Sequence, residues 1–498
     1  MANTLFHDPA SYQEAGSYRL MPFQFERRPN GSVLLTNQGG EFLILASSAF
    51  DEFVAGRLAI GSPKYFDLKS RHFLTHKFNA TTARVAASQW RTKKAFIEGG
   101  PKLHIFVPTL RCNQGCGYCQ ASRADIHASG YDMSKQTASS AIDLMLASSA
   151  QAVTMEFQGG EPLLAFDLVR WMTETAADRV AMSRKTIQFV ICTNLTCLTE
   201  AHLDFFKQYN IAVSTSLDGP AHVHDRNRPM GSSGTHATVV GNIRRCQESL
   251  GAGNVSALMT TTVRSLANAR GIVDEYIALG LNSVFIRELN PYGYAAKSAK
   301  ALGCSLENFL LFYREALEYI LYLNQGGTFI NEGYASILLR KILTPFGVGF
   351  VDLQSPTGEG FGVILYNHDG SVYASDEARM LAEMGDPTFC LGHVNDDWNT
   401  LIASDTMRCL GAAGVAEALP GCSDCVYLPY CGADPIRHYR TQGDLIGHRP
   451  SSSFCRKQKA ILGIMFDLIE DPSPKVQDIL LGWLNPNRRC LPGAPWLS

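Results

Sequence analysis

Three observations predict an α/β fold built on a partial (β/α)6 barrel. Six strand-like runs, LHIFVPTL, AVTMEFQG, TIQFVICT, IAVSTSL, VSALMTTTV and SVFIREL, recur between Leu103 and Leu289. Helix-period stretches such as SKQTASSAIDLMLASSA and LANARGIVDEYIALG lie between them. This alternation requires a parallel sheet with right-handed crossovers, and six units suit a curved partial barrel better than a complete eight-unit one. The reactive end is expected at the strand C-termini.

The flanking regions read differently. Residues 1–100 suggest a small α+β domain: SYRLMPFQFERRPNGSVLLTNQGGEFLIL forms short strands with turns at Pro29-Asn30-Gly31 and Gln38-Gly39-Gly40, and a helix fits SSAFDEFVAG. The barrel is expected over 101–303. Residues 304–346 form a helical connection containing the amphipathic SLENFLLFYREALEYILYL. From 347 to 498 the chain is irregular and rich in Gly, Asp and Cys, as in a domain tied together by something other than a large core.

With 498 residues, 46% hydrophobic composition and a formal net charge of -2, the chain can bury several cores. The near-neutral balance gives no electrostatic reason to expect nucleic acid. No cleavable N-terminal apolar segment and no membrane-length apolar run stand out, so a cytoplasmic protein without a membrane partner is expected. There the fourteen cysteines stay reduced, which favours metal ligation for closely spaced sets.

The first such set follows the first barrel strand in VPTLRCNQGCGYCQAS, as Cys112-x3-Cys116-x2-Cys119. Three thiolates in a strand-to-helix loop can hold three irons of a cubane cluster and leave the fourth open to a ligand. Three buried free cysteines, or a zinc clip lacking a ligand, are the bland alternatives. After the second strand stands FQGGEPL, where Gly159 and Gly160 let the backbone approach a ligand and Glu161 can accept from an ammonium group.

With Tyr118 before the third cysteine, these segments resemble the radical S-adenosylmethionine (SAM) superfamily. The resemblance implies that Cys112, Cys116 and Cys119 bind a [4Fe-4S] cluster whose open iron chelates SAM. An electron from the cluster then releases a 5′-deoxyadenosyl radical. It further implies that Gly159, Gly160 and Glu161 hold the methionyl amine, and that Gln158, Ser216 and Leu289 contact SAM, with Asn194 of the strand end CTN as a further candidate. Each of these is otherwise an ordinary strand-end residue.

A second set, Cys422-x2-Cys425-x5-Cys431 with Cys455 downstream, supplies four thiolates. It resembles the SPASM extension of peptide-modifying radical SAM enzymes, where two auxiliary [4Fe-4S] clusters are usual. Here Ser375 and Pro435 stand where that extension has cysteines, so one auxiliary cluster is expected. Structural zinc is the alternative. Asp376 aligns with the general base of anaerobic sulfatase-maturating relatives, or else it is a turn carboxylate capping the following helix. Cys192, Cys197, Cys246, Cys304 and Cys490 are isolated thiols, and Cys390 and Cys409 could be extra ligands or reactive thiols. His222, His224, Asp225 and Arg228 could line the pocket mouth.

Taken together, MPFQFERRPNGSVLLTN, CNQGCGYCQASRA, EFQGGEPLL, STSLDGP, SALMTTT and YNHDGSVYASDEARMLAEMGD resemble the His-Xaa-Ser system radical SAM maturases. That resemblance implies a precursor peptide or small His-Xaa-Ser repeat protein as substrate, a companion radical SAM protein, and a one-electron donor such as flavodoxin or ferredoxin. The N-terminal domain is similar to leader-recognition domains, which bind a peptide as an added strand. Side-chain cross-linking is the expected outcome. The rivals are a formylglycine-type sulfatase maturase and a non-catalytic iron-sulfur partner that presents a peptide to a second enzyme.

Overall fold

The computed structural model describes residues 18–76 and 80–484. Cys490 lies outside them. The chain forms two compact units, and the division does not follow the four expected ranges. The first unit joins the described residues up to Ala95 with Lys341–Gly347 and Ala416–Cys431, and the second contains Phe96–Arg340, Val348–Val415 and the described residues from Gly432 onward.

In the first unit, strands Gln24–Arg27, Ser32–Thr36 and Phe42–Ala46 form an antiparallel meander. Its hairpin turns close where Gly31 N–H meets Arg28 O and Gly40 N–H meets Asn37 O. Helix Ser47–Val54 buries Ala49, Phe50 and Phe53, and helix Pro63–Ser70 starts where the Ser62 hydroxyl accepts from Tyr65 N–H. These faces meet Val33, Leu35, Leu68 and Phe73 in one core, where each large side chain contributes roughly 1.5–3 kcal/mol.

The segment Ala416–Cys431 belongs to this unit because its backbone serves the same sheet. The Thr36 hydroxyl donates to Val426 O at 2.7 Å, Tyr430 OH to Gly40 O at 3.0 Å, and Gln24 Nε2 to Ser423 O at 3.1 Å. Three of the four second-set cysteines therefore fold with the N-terminal strands.

The second unit contains all six expected barrel strands: β1 (Leu103–Thr109), β2 (Ala152–Gly159), β3 (Thr186–Cys192), β4 (Ala212–Ser216), β5 (Val255–Thr260) and β6 (Ser283–Arg287). A short β7 (Asn331–Glu332) continues this edge, and β8 (Val363–Tyr366), β9 (Ser371–Tyr373) and β10 (Cys390–His393) extend the other. The sheet order is β7-β6-β5-β4-β3-β2-β1-β8-β9-β10. Strands β1 to β6 are mutually parallel, and β8 joins β1 in parallel with Ile105 opposite Leu365. The region expected as a separate C-terminal domain thus supplies three strands to the barrel sheet. Crossover helices are capped as their sequences dictate, with Ser134 accepting from Thr137 N–H and Thr199 forming a capping box with His202.

Candidate active site

Backbone hydrogen bonds place the first functional segment at the C-terminal end of β1. Gly160 N–H donates to Thr109 O at 2.9 Å and Glu161 N–H to Arg111 O at 2.8 Å, which stitches the chain after β2 to the strand exit leading into Cys112. A Cβ on Gly159 would stand 2.2 Å from Thr109 O, and one on Gly160 would stand 2.2 Å from Arg111 O. Gly159 also has φ of 128°, so neither site accommodates a side chain. The close approach these glycines permit is to the β1 exit, whereas the sequence reading gave them to a ligand.

The cysteine loop is fixed on both sides. Arg111 grips Asp132 with two nitrogens at 2.7 and 2.8 Å, Gly115 N–H donates to Pro229 O at 2.8 Å, and Cys119 O accepts from Tyr294 N–H at 2.8 Å. Cys112, Cys116 and Cys119 are half-buried free thiols. Burial pushes the Cys112 thiol up to about 12 and the Cys116 thiol up to about 11. A bound metal centre supplies the positive charge that reverses this cost. Beside them, Tyr118 OH donates to the buried Asp218 carboxylate, and Arg228 lies 3.2 Å from the same group.

The three cysteines form part of the wall of a cavity of about 540 Å³, within the range of small-molecule and cofactor sites. Gln158, Gly159, Gly160, Asn194, Ser216 and Leu289 all border it. Asn194 steadies the loop, its side-chain amide donating to Asn113 Oδ1 at 2.9 Å. The Thr215 hydroxyl, on the same wall and 2% exposed, has no partner among the described residues. Such an orphan is a vacancy for a ligand's hydrogen bond, so the residues present fit a polar cofactor lying across the strand ends.

Glu161 departs from expectation. It is 1% exposed and does not border the cavity, and its oxygens accept from Leu163 N–H at 3.0 Å, Thr193 OH at 2.6 Å and Asn194 N–H at 2.8 Å. Three protein donors hold the carboxylate, which ties the exits of β2 and β3 together.

Asp376 borders the cavity from the first turn of helix Asp376–Ala382. It also accepts from the buried Arg379 at 2.8 Å. Ser375 caps that helix by accepting from Ala378 N–H, and Pro435 opens helix Pro435–Gln442, so the two positions without cysteine serve helix starts. Of the residues offered for the pocket mouth, only Arg228 borders the cavity. His224 is buried between Asp218 N–H and the Thr235 hydroxyl.

Cys192, grouped with the isolated thiols from sequence, borders the cavity with its Sγ 3.5 Å from Glu156 Oε1. Its place as the last residue of β3, at the reactive end, was the available signal. Burial raises the Glu156 carboxyl, and the nearby Asp376 adds to the effect.

In the first unit, Cys425 N–H donates to Cys422 O and Cys431 N–H to Tyr427 O, so successive turns present the cysteines. Cys455 lies in the second unit, in the first turn of helix Ser453–Glu470. Cys390 starts β10 and Cys409 is exposed. Among the described residues no three His, Cys, Asp or Glu side chains are grouped to clasp one metal ion, and no helix is long and apolar enough to cross a membrane.

Residues 106–264 match the family model of the Radical SAM superfamily. An uncharacterized protein of Methanocaldococcus jannaschii is 31% identical over 228 residues, 45% of this chain and 74% of that protein. The chain belongs to the radical SAM superfamily. It is therefore a radical SAM enzyme, with SAM and [4Fe-4S] chemistry as its cofactor set. An uncharacterized protein of Methanothermobacter thermautotrophicus is 28% identical over 125 residues, 25% of this chain and 45% of that one.

Two solved structures share this radical SAM fold. Native anSMEcpe with bound AdoMet and Cp18Cys peptide has a TM-score of 0.60 at 17% identity, covering 77% of this chain and 99% of that one. Streptococcus suis SuiB bound to precursor peptide SuiA has a TM-score of 0.50 at 14% identity, covering 87% and 98%.

Proposed function

We propose that this radical SAM enzyme modifies, by cross-linking, side chains of a ribosomally made peptide or small protein of the His-Xaa-Ser type. The observation that carries the reading is one cavity bordered both by the three-cysteine loop and by ionisable side chains such as Glu156 and Asp376. The fold shared with proteins whose structures contain peptides supports the substrate class.

In this reading Cys112, Cys116 and Cys119 hold the cluster, while Gln158, Gly159, Gly160, Asn194, Ser216 and Leu289 border the SAM site. When bound, the pair supplies a 5′-deoxyadenosyl radical. The Gly160–Thr109 stitch fixes the loop. A cross-link between two C–H positions releases one hydrogen atom, one proton and one electron. The hydrogen atom goes to the adenosyl group and the proton to a carboxylate such as Asp376. An auxiliary iron-sulfur cluster, which Cys422, Cys425 and Cys431 would help to hold, would supply the acceptor for the electron. A companion radical SAM protein and a flavodoxin- or ferredoxin-type donor complete the system.

The test is anaerobic reaction of the reconstituted protein with SAM, reductant and a His-Xaa-Ser peptide, following 5′-deoxyadenosine and peptide mass together. The expected result is a loss of two hydrogens that disappears in Cys116→Ala. Release of 5′-deoxyadenosine without a mass change would leave epimerisation or a different substrate, and absence of both would favour a non-catalytic, peptide-presenting role.

A further inference from the structure

The cavity is also bordered by Asp352, Asp376, Glu377 and Asp434. Three cations of this region are already engaged, and Arg287 also borders the cavity. Arg379 pairs with Asp376 at 2.8 Å, while Arg437 and Lys457 both engage Glu288, the latter at 3.0 Å. No ion pair reaches Asp352, Glu377 or Asp434 among the described residues, and Asp434 accepts from the backbone N–H of Arg437 at 3.1 Å. Burial, followed by repulsion from neighbouring carboxylates, raises the Glu377 and Asp434 carboxyls to about 7.

A second observation is independent of that cluster. Tyr292 is 1% exposed and borders the cavity, yet its hydroxyl has no hydrogen-bond partner among the described residues. Asp434 and Glu377 are its principal electrostatic neighbours. A buried hydroxyl left open beside carboxylates lacking counter-ions calls for a ligand rich in donors and positively charged. An ammonium brings three N–H donors and a guanidinium five, with no acceptor to clash.

We propose that Asp352, Glu377, Asp434 and the Tyr292 hydroxyl form a subsite for a cationic side chain of the substrate, a lysine ammonium or an arginine guanidinium. The inference rests on the peptide reading above and adds a specificity to it. A cation there relieves the repulsion among the carboxylates and anchors the peptide while another of its residues faces the SAM end of the cavity.

The experiment uses full-length reconstituted protein with SAM, kept anaerobic, and fluorescein-labelled peptides identical except for one central Lys, Arg, norleucine or Glu. Fluorescence anisotropy is expected to show Lys and Arg peptides binding roughly tenfold more tightly than norleucine, with Glu weakest. In Glu377→Gln and Asp434→Asn, checked for native circular dichroism and iron content, the advantage of Lys should largely vanish while norleucine binding holds. Equal binding of Lys and norleucine peptides, or an advantage surviving in both variants, would overturn the subsite. If no peptide binds, the peptide reading fails, and n-butylguanidinium then tests the subsite alone by saturation-transfer NMR. A signal with the native protein that is lost in Glu377→Gln supports the subsite, and no signal overturns it.

Discussion

The Arg228 guanidinium lies 5.1 Å from the centroid of the Tyr118 ring and 3.2 Å from the Asp218 carboxylate. Tyr118 sits between Cys116 and Cys119, and Asp218 follows the end of β4, so this cluster fastens the cysteine loop to the barrel. Asp218 is fully buried and burial is nearly complete around Arg228. Removing one partner leaves the other as an uncompensated buried charge, at a cost of about 3–5 kcal/mol. Asp218→Asn should therefore lower the thermal midpoint measured anaerobically and alter the EPR signal of the reduced cluster. The double variant Asp218→Asn/Arg228→Met should lose less stability than the sum of the single changes.

Gly160→Ala should disturb the loop through the backbone, because its Cβ would stand 2.2 Å from Arg111 O and 2.4 Å from Leu110 O. Neither carbonyl can withdraw without breaking the contacts that aim Cys112. The expected outcome is a lower iron content after reconstitution and loss of 5′-deoxyadenosine release. Gly241→Ala is the control: it lies within helix His236–Leu250 with nothing within 4 Å of the added carbon, and it should stabilise by about 0.5–1 kcal/mol.

Much of this site was legible because local chemistry and chain position agree. The alternation of strands and helices fixed where the six strand exits fall, and Cys112, Cys116 and Cys119 occupy the first of them. The three partners of Glu161, Leu163, Thr193 and Asn194, converge only in the folded barrel, so no local pattern shows them. Cys192 was undervalued because one cysteine in a strand carries no spacing signal. The pairing of β8 with β1 and the docking of Val426 on Thr36 join residues hundreds of positions apart, and hydrophobic periodicity does not encode such partners.

The carboxylates around Glu377 should make stability depend on pH. Burial, then repulsion from Asp352, Asp376 and Asp434, raises Glu377 from its usual 4.5 to about 7; Arg437 lies near Asp434, and Arg379 pairs with Asp376. A carboxyl raised by folding holds its proton more tightly in the folded chain. Its favourable contribution is fully present below about 4.5 and is lost as pH rises through about 7. Glu377→Gln should therefore raise the thermal midpoint at pH 8 and leave it nearly unchanged at pH 5. An equal shift at both pH values would show that packing alone changed.

Thr36 offers a way to separate the two cysteine sets. Its hydroxyl is fully buried and donates to Val426 O at 2.7 Å, between Cys425 and Cys431 in sequence. Thr36→Val keeps the shape and removes the donor, leaving a buried carbonyl unsatisfied at a cost of about 1–3 kcal/mol. The strain falls on the segment presenting Cys422, Cys425 and Cys431, whereas Cys112, Cys116 and Cys119 belong to the other unit. Iron bound by the Cys422–Cys431 segment should become more labile to chelators, while the signal of the SAM-binding cluster and 5′-deoxyadenosine release persist. Iron analysis of Thr36→Val beside Cys425→Ala measures this directly: both should lose iron without losing SAM cleavage. Equal loss of both cluster signals in Thr36→Val would instead mean that the hydroxyl supports the whole chain.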